Sequence, residues 1–143
     1  MTVASITTDI RFGPFIVPSN AQNMIMNSFA QRLGKKIEVV VPEPILSDEL
    51  LTSLWLHNEF NFKTVFLCSI HQLPQSEDSL ENICNSMSNT EFCFAIEGEI
   101  GSGADYLKRC AHEAKIFSTV QKIDDKGLNW LNFYELSKYH PTD

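Results

Sequence analysis

Residues 64–68 read Thr-Val-Phe-Leu-Cys, an unbroken run that a polar turn, Ser69–Pro74, follows directly. Apolar runs without alternation are typical of strands that are buried on both faces of a parallel sheet. A second such run, Ile37–Val41, precedes the first, and a third, Phe92–Ile96, follows it. Together, the three runs predict buried parallel strands of an α/β sheet.

Amphipathic stretches separate these runs and predict helices. Ser19–Leu33 carries apolar residues at helical spacing and ends at Gly34, as helices commonly do. Ser47 and Ser76 are suitable N-caps for a second and a third helix, and a fourth is expected over 104–117. In the second helix, we expect the core-facing residues to be Leu50, Leu51, Leu54 and Trp55.

The remaining segments carry weaker patterns. Arg11–Val17 is the predicted first strand, although it contains a Gly-Pro pair. Pro42 is expected to end the second strand, and the glycine-rich residues 98–103 predict a loop. Near the C-terminus, we expect a strand at Val120–Ile123 and a short helix at Trp130–Lys138.

Strands that alternate with helices indicate βαβ units and a parallel sheet. We therefore predict an α/β protein, a three-layer flavodoxin-like sandwich with a mostly parallel sheet of four or five strands. The length of 143 residues fits a single domain. Its core is expected over about residues 10–117, with a C-terminal extension over 118–143.

Composition excludes several classes of protein. The net charge of -7 argues against a nucleic-acid partner, because proteins that bind the phosphate backbone concentrate Lys and Arg. Residues 1–9 lack the pattern of a secretory signal, and no apolar stretch approaches the roughly 20 residues that span a bilayer. We expect a cytoplasmic protein without a membrane partner. The 4 cysteines form no C-x-x-C pair, so we predict buried free thiols, no metal and no cofactor.

Ligands of open α/β sheets bind outside the carboxyl ends of the strands. Polar residues follow the carboxyl ends of all four predicted strands. Among them, the candidates for acid/base catalysis are Glu97, Glu43 and His71. Carboxylate, imidazole, hydroxyl and carboxamide groups together suit a neutral or weakly cationic ligand such as a sugar or an amine. They suit a phosphate poorly, because no Lys or Arg follows these strands. The candidates for substrate binding are Ser19, Gln22, Asn23, Ser69 and Gln72.

Each candidate also has a structural alternative. Ser19 and Gln22 have the spacing of a capping box, in which Gln22 only bonds the backbone of Ser19. Glu43 lies between two prolines, where a solvated loop charge is common. His71 and Ser69 allow simple hydrogen-bonding roles, since no nucleophile elbow surrounds Ser69. Glu97 directly follows a buried strand, where a carboxylate needs a partner or a function.

Four short blocks resemble the small, sporadically distributed carbohydrate-cluster proteins of bacterial surface-polysaccharide gene clusters. They are Val17–Asn23, Glu43, Cys68–Pro74 and Phe94–Gly98. The resemblance covers about residues 10–100 and implies a role in lipopolysaccharide or capsule synthesis. It brings no assigned reaction.

The strand and helix order also resembles, distantly, the catalytic domain of serine recombinases. In that family, a serine after the first strand, closely followed by glutamine, attacks a DNA phosphate with the help of arginines. Ser19 and Gln22 match that start, but Gln72 and its neighbours occupy the place of the arginines. Because phosphoryl transfer needs cations, the resemblance implies the fold and not the activity.

The leading hypothesis is therefore a small α/β protein of surface-carbohydrate biosynthesis that binds a sugar-like metabolite. If it is an enzyme, we expect a cofactor-independent lyase, isomerase or hydrolase step. One alternative is a non-catalytic module that binds a sugar intermediate or a partner enzyme. Another is a homo-oligomeric module, for which Phe15, Trp130 and Phe133 could supply apolar surface.

Overall fold

The computed structural model describes residues 2–8, 16–43 and 50–125 of the chain, with side chains up to residue 120. The fold is α/β, with one five-stranded, mostly parallel sheet and four helices. The strands are β1 (Thr2–Thr8), β2 (Val39–Glu43), β3 (Phe62–Leu67), β4 (Glu91–Phe94) and β5 (Glu99–Ser102). The helices are α1 (Ser19–Arg32), α2 (Leu51–Phe60), α3 (Glu77–Ser86) and α4 (Ala104–Asp125), with a short 3₁₀ turn at Ile70–Gln72.

The strand order is β2-β1-β3-β4-β5, and only β5 runs antiparallel to its neighbour. Along β3, Val65 and Leu67 face one side of the sheet, whereas Phe66 faces the other. Helices α2, α3 and α4 cover the first side, and α1 covers the second. This arrangement confirms the predicted three-layer sandwich, with the hydrophobic core divided between the two faces of the sheet.

The first strand lies earlier in the chain than predicted. Most of the predicted strand, Arg11–Val17, falls outside the described residues, and its last two residues are not in a strand. The strand is instead β1, whose Ala4 and Ile6 are 0% exposed. Its sequence, TVASITT, alternates apolar residues with small polar ones and so lacks the continuous apolar run that marked β3.

The glycine-rich segment that was predicted as a loop contains β5. Residues 95–98 form a turn in which Gly98 has a φ of 69°, a conformation that favours glycine. The chain then returns along β4 as a hairpin, with Cys93 opposite Ile100. A Cβ atom at Gly101 would lie 2.7 Å from ring atoms of Tyr106, so glycine lets that ring pack against the strand. The prediction missed β5 because close packing, rather than turn formation, accounts for this glycine.

Helix α2 also differs from the prediction. Ser47 lies outside the described residues, and the N-cap is Leu50, which is buried with a φ of 55°. Leu51 and Trp55 are 54% and 63% exposed, so they do not face the core as expected. The start of the helix is held by hydrogen bonds from its N–H groups to Glu43 in β2. The spacing of residues along the helix cannot reveal this contact.

Two smaller corrections concern β2 and α4. Pro42 lies within β2, because an edge strand tolerates a residue without an N–H donor. The strand predicted at Val120–Ile123 is helical, because α4 continues to Asp125. The helix predicted at Trp130–Lys138 lies outside the described residues.

Candidate functional site

The carboxyl ends of β1 and β3 lie side by side at the point where the strand order reverses. Helix α1 follows β1 on one face, and the 3₁₀ turn at Ile70–Gln72 follows β3. In doubly wound sheets this position forms a crevice in which ligands bind. The thiol of Cys68 donates to the backbone oxygen of Gln22 at 3.5 Å, so the first turn of α1 packs directly against the end of β3.

Gln22 holds the end of β1 to the start of α1. Its side chain is 0% exposed; Oε1 accepts from the N–H of Thr8 at 2.9 Å, and Nε2 donates to the carbonyl of Thr8 at 2.8 Å. The same Nε2 donates to the carbonyl of Val17 at 2.7 Å. The capping-box interpretation of Ser19 and Gln22 is therefore wrong, and α1 has no side-chain cap from its N-cap residue, Pro18. Gln22 is therefore a structural clamp, that is, a side chain that joins the end of β1 to the start of α1 through hydrogen bonds.

The capping box lies at Ser69 and Gln72 instead. Oε1 of Gln72 accepts from the N–H groups of Cys68 and Ser69 at 2.7 and 3.2 Å, and the hydroxyl of Ser69 accepts from the N–H of His71 at 3.2 Å. Nε2 of Gln72 donates to the hydroxyl of Thr8 at 2.8 Å. Gln72 thus ties the turn after β3 to the end of β1 and is buried, as a positioning residue would be.

Glu97 lies half-buried after β4 and contacts the same turn. Its Oε2 accepts from the hydroxyl of Ser69 at 2.7 Å, and its Oε1 accepts from the N–H of Ile70 at 3.0 Å. These two hydrogen bonds hold the carboxylate of Glu97 in one position. The structure therefore brings Ser69, His71 and Glu97 together beside the ends of β3 and β4.

His71 is half-buried beside this carboxylate. Burial lowers the pKa of His71 below its ordinary value of 6.5, and the negative charge of Glu97 partly opposes that effect. Its ring meets the ring of Phe117, with centroids 5.4 Å apart and planes at 75°. Phe117 was not predicted as a site residue, because its position depends on where α4 crosses the 3₁₀ turn.

Ser19 and Asn23 lie half-buried in the first turns of α1, at the same edge of the sheet. The side-chain oxygen of Asn23 is buried and accepts no hydrogen bond within the part of the chain that the structure describes. A carboxamide oxygen in this state can accept a hydrogen bond from a ligand. These two residues form the α1 side of the candidate site.

Glu43 lies apart from the other candidates. It is 0% exposed, and its carboxylate accepts from the N–H of Thr52, the N–H of Ser53 and the hydroxyl of Ser53 at 3.2, 3.0 and 2.8 Å. It is therefore buried and hydrogen-bonded rather than a solvated loop charge, and it caps the start of α2. Three strand spacings separate β2 from β4, about 14 Å, so Glu43 and Glu97 do not meet at one atom.

Among the described residues, Arg109 reaches this edge, contrary to the prediction that no Lys or Arg lies there. Arg109 of α4 binds Glu99 at 3.1 Å, at the start of β5, and lies 4.0 Å from Glu113. The other arginine in the described ranges, Arg32, lies over the ring of Phe29 at the far end of α1. Neither arginine contacts Glu97 or Ser69, so the described part of the edge offers no guanidinium to a phosphate.

The cysteines are free and buried. Burial raises the pKa of Cys68 to about 11 and that of Cys93 to about 12, so both are protonated near neutral pH. Within residues 2–8, 16–43 and 50–125, no group of three or more His, Cys, Asp or Glu side chains could hold a metal ion. No helix in those ranges is long and apolar enough to cross a membrane.

A groove of about 350 Å³ lies elsewhere, between α3 and α4. Glu77 and Glu81 line its α3 side, and Lys108, His112 and Lys115 line its α4 side. Glu81 and Lys108 form an ion pair across it at 3.0 Å. None of the predicted site residues lines this groove, although Pro74, at the end of the turn that follows β3, does.

We expect the titration of His71 to report its environment directly. In an NMR titration of the full chain, the midpoint for His71 lies below 6.5 and falls further in Glu97→Gln, because the lost negative charge no longer favours the imidazolium. Glu99→Gln is the matched control and leaves the midpoint unchanged. A midpoint that rises in Glu97→Gln would contradict the electrostatic effect of Glu97 on His71.

Comparison with known proteins supports the fold and gives no function. The sequence matches no family model and no curated protein. Among solved structures, the chain is similar to the N-terminal catalytic domain of TP901-1 integrase, with a TM-score of 0.58, 13% identity, and coverage of 88% of this chain and 98% of that chain. The distant fold resemblance to the catalytic domain of serine recombinases is therefore confirmed at the level of the fold alone.

Proposed function

We propose that this chain binds a small neutral metabolite of the carbohydrate type around Glu97, and that Glu97 and His71 supply acid/base chemistry there. The observation that carries the proposal is the position of the Glu97 carboxylate. It is held in place by Ser69 and Ile70 at the crevice end of the sheet, yet it remains only half-buried. A fixed and accessible carboxylate is a good acceptor for ligand hydroxyl groups.

The charge around Glu97 favours a neutral ligand over a phosphate. Within the described ranges, Glu97 takes part in no ion pair, whereas Glu99 is neutralised by Arg109. A phosphate would meet an uncompensated negative charge, while a sugar hydroxyl would donate to it. The carboxamide of Asn23, on the α1 side of the crevice, adds both a donor and an acceptor.

His71 is the candidate acid or base of this site. Its lowered pKa keeps the imidazole neutral at pH 7, so it can accept a proton. Glu97 lies close enough to influence that pKa and would stabilise the imidazolium that forms. Gln22, Gln72 and Ser69 then act as positioning residues, and Glu43 stabilises α2 from outside the site.

The biological setting that we propose is the synthesis of bacterial surface carbohydrates such as lipopolysaccharide or capsule. Its support is the set of short blocks around Gln22, Glu43, Gln72 and Glu97 that resemble carbohydrate-cluster proteins. Three of these four side chains are buried and hydrogen-bonded, and the fourth is at the proposed site. The resemblance therefore lies in residues on which the fold and the site depend.

The test is a binding measurement by NMR with simple sugars. We expect the wild-type chain to bind at least one of the methyl glycosides of galactose, glucose and mannose, and Glu97→Gln to bind it at least tenfold more weakly. The cause is the loss of a charged acceptor, worth about 1.5–3 kcal/mol. Glu99→Gln, at the same edge but paired with Arg109, is the control. Unchanged affinity in Glu97→Gln would overturn the proposal.

A non-catalytic binding or scaffold module is the second candidate. It is favoured by the burial of Glu43, which leaves Glu97 as the accessible one of the two carboxylates that were candidates for acid/base catalysis. The spectrum of the bound sugar decides between the candidates. New anomeric resonances that appear over hours and vanish in His71→Gln support catalysis, whereas an unchanged spectrum with retained binding supports the module.

A further inference from the structure

Phe117 is an exposed aromatic residue that the proposed chemistry does not use. It lies on α4 and keeps 46% of its surface exposed although its ring is held against His71. Exposed aromatic rings cost free energy in water unless a ligand or partner covers them. Helix α4 packs on the 3₁₀ turn at Ile70–Gln72, so the ring stands at the rim of the crevice.

The edge-to-face contact with His71 also fixes the ring of Phe117. With planes at 75° and centroids 5.4 Å apart, the imidazole covers only part of the phenyl ring. A second apolar side chain, Ile96, directly precedes Glu97 and is 41% exposed. The proposed site therefore combines the polar groups of Glu97 and His71 with the apolar ring of Phe117, a combination that binds ligands with both kinds of surface.

We propose that Phe117 is a stacking surface for one face of a pyranose ring whose hydroxyls are bound at Glu97. The inference rests on the proposed function and narrows its ligand to a cyclic sugar. A pyranose presents several C–H groups on one face and hydroxyls around its edge, which matches an aromatic ring beside a carboxylate. An acyclic polyol has the same hydroxyls but no rigid apolar face, so it would gain little from Phe117.

An amine is the other ligand that an aromatic ring and a carboxylate could bind, through a cation–π contact. The proposed function favours a sugar, and the carboxamide of Asn23 carries a donor as well as an acceptor. A hydroxyl group can serve both kinds of partner, whereas an ammonium group can only donate. Binding of an amine is an outcome of the test.

The experiment is saturation-transfer NMR on the full chain, with irradiation of the aromatic resonances. The probes are the methyl glycosides of galactose, glucose and mannose, their ring-opened counterparts galactitol, glucitol and mannitol, and tetramethylammonium. We expect the glycosides to bind at least fivefold more tightly than the polyols. Saturation should be strongest at the C–H groups of one ring face.

Substitutions at two adjacent positions separate stacking from a structural role. Phe117→Ala and Phe117→Leu should each weaken glycoside binding at least fivefold and abolish the preferential saturation of one face. Phe117→Leu keeps an apolar contact with His71, so a fold defect cannot explain its effect. Ile116→Ala, at a neighbouring residue that is 54% exposed, is the control and should change affinity less than twofold.

The outcomes distinguish this inference from the proposed function. If Glu97→Gln abolishes binding while both Phe117 variants bind normally, the stacking surface is wrong and the site stands. If polyols bind as well as glycosides, the inference of a cyclic ligand is overturned. If tetramethylammonium alone binds, in a manner that requires Phe117, the ligand is an amine. If no glycoside or polyol binds to the wild-type chain, the proposed function itself fails.

Discussion

Gln22→Ala lowers the free energy of unfolding by about 3 kcal/mol. Gln22 is 0% exposed and makes three hydrogen bonds, two to the backbone of Thr8 and one to the carbonyl of Val17. Alanine leaves these backbone groups without their partner, and buried unsatisfied groups cost more than the bonds themselves contribute. The measurement is urea denaturation followed by circular dichroism.

Gln31→Ala is the matched control for Gln22. Gln31 lies on the same helix and is exposed, so its replacement should change the free energy of unfolding by less than about 0.5 kcal/mol. Gln22→Glu is a second probe, because a carboxylate accepts from Thr8 but cannot donate to the two carbonyls. If Gln22→Ala were as stable as Gln31→Ala, the clamp between β1 and α1 would not exist.

Glu43→Ala lowers the free energy of unfolding by about 3 kcal/mol, for a different reason. The carboxylate accepts three hydrogen bonds from Thr52 and Ser53, two of them from N–H groups in the first turn of α2. Those groups have no partner within the helix, and the negative charge also favours a helix N-terminus. Chemical denaturation of the full chain measures the loss.

Two further variants define the role of Glu43. Glu43→Gln keeps one acceptor oxygen and should lose roughly half as much stability as Glu43→Ala, while Ser53→Ala removes only one bond and should lose about 1 kcal/mol. Sugar binding should be unchanged in Glu43→Gln, because β2 lies three strand spacings, about 14 Å, from β4, which Glu97 follows. A selective loss of binding in this variant, with stability intact, would place Glu43 in the site.

Continuous apolar runs predicted the centre of this fold well. Residues 64–68 and 92–96 identified β3 and β4 because both faces of these strands are buried. Ser76 was also correct as the N-cap of α3, since its hydroxyl accepts from the N–H of Ser79. Where local sequence is sufficient to specify an element, the prediction holds.

The errors arise where distant residues specify the structure. The start of α2 depends on Glu43, which lies in another element, and β5 depends on the ring of Tyr106 in the helix that follows it. Because both residues follow neighbouring strands, the sequence predicted Glu97 and Ser69 at the same edge of the sheet, where they are hydrogen-bonded. It could not show that the side chains of Gln22 and Gln72 form hydrogen bonds within the protein and are therefore not free to bind a ligand. The position of Phe117 beside His71 depends on where α4 crosses the 3₁₀ turn, and the spacing of residues along the sequence does not reveal that crossing.

The proline inside β2 bears on how this molecule can associate with copies of itself. In the described sheet, β2 forms one edge and includes Pro42, and β5 forms the other edge with only four residues. A proline supplies no donor to an added strand, and a short strand offers little backbone to pair with. Any self-association is therefore expected through the helices that cover the sheet, and not by extension of the sheet from one molecule into the next.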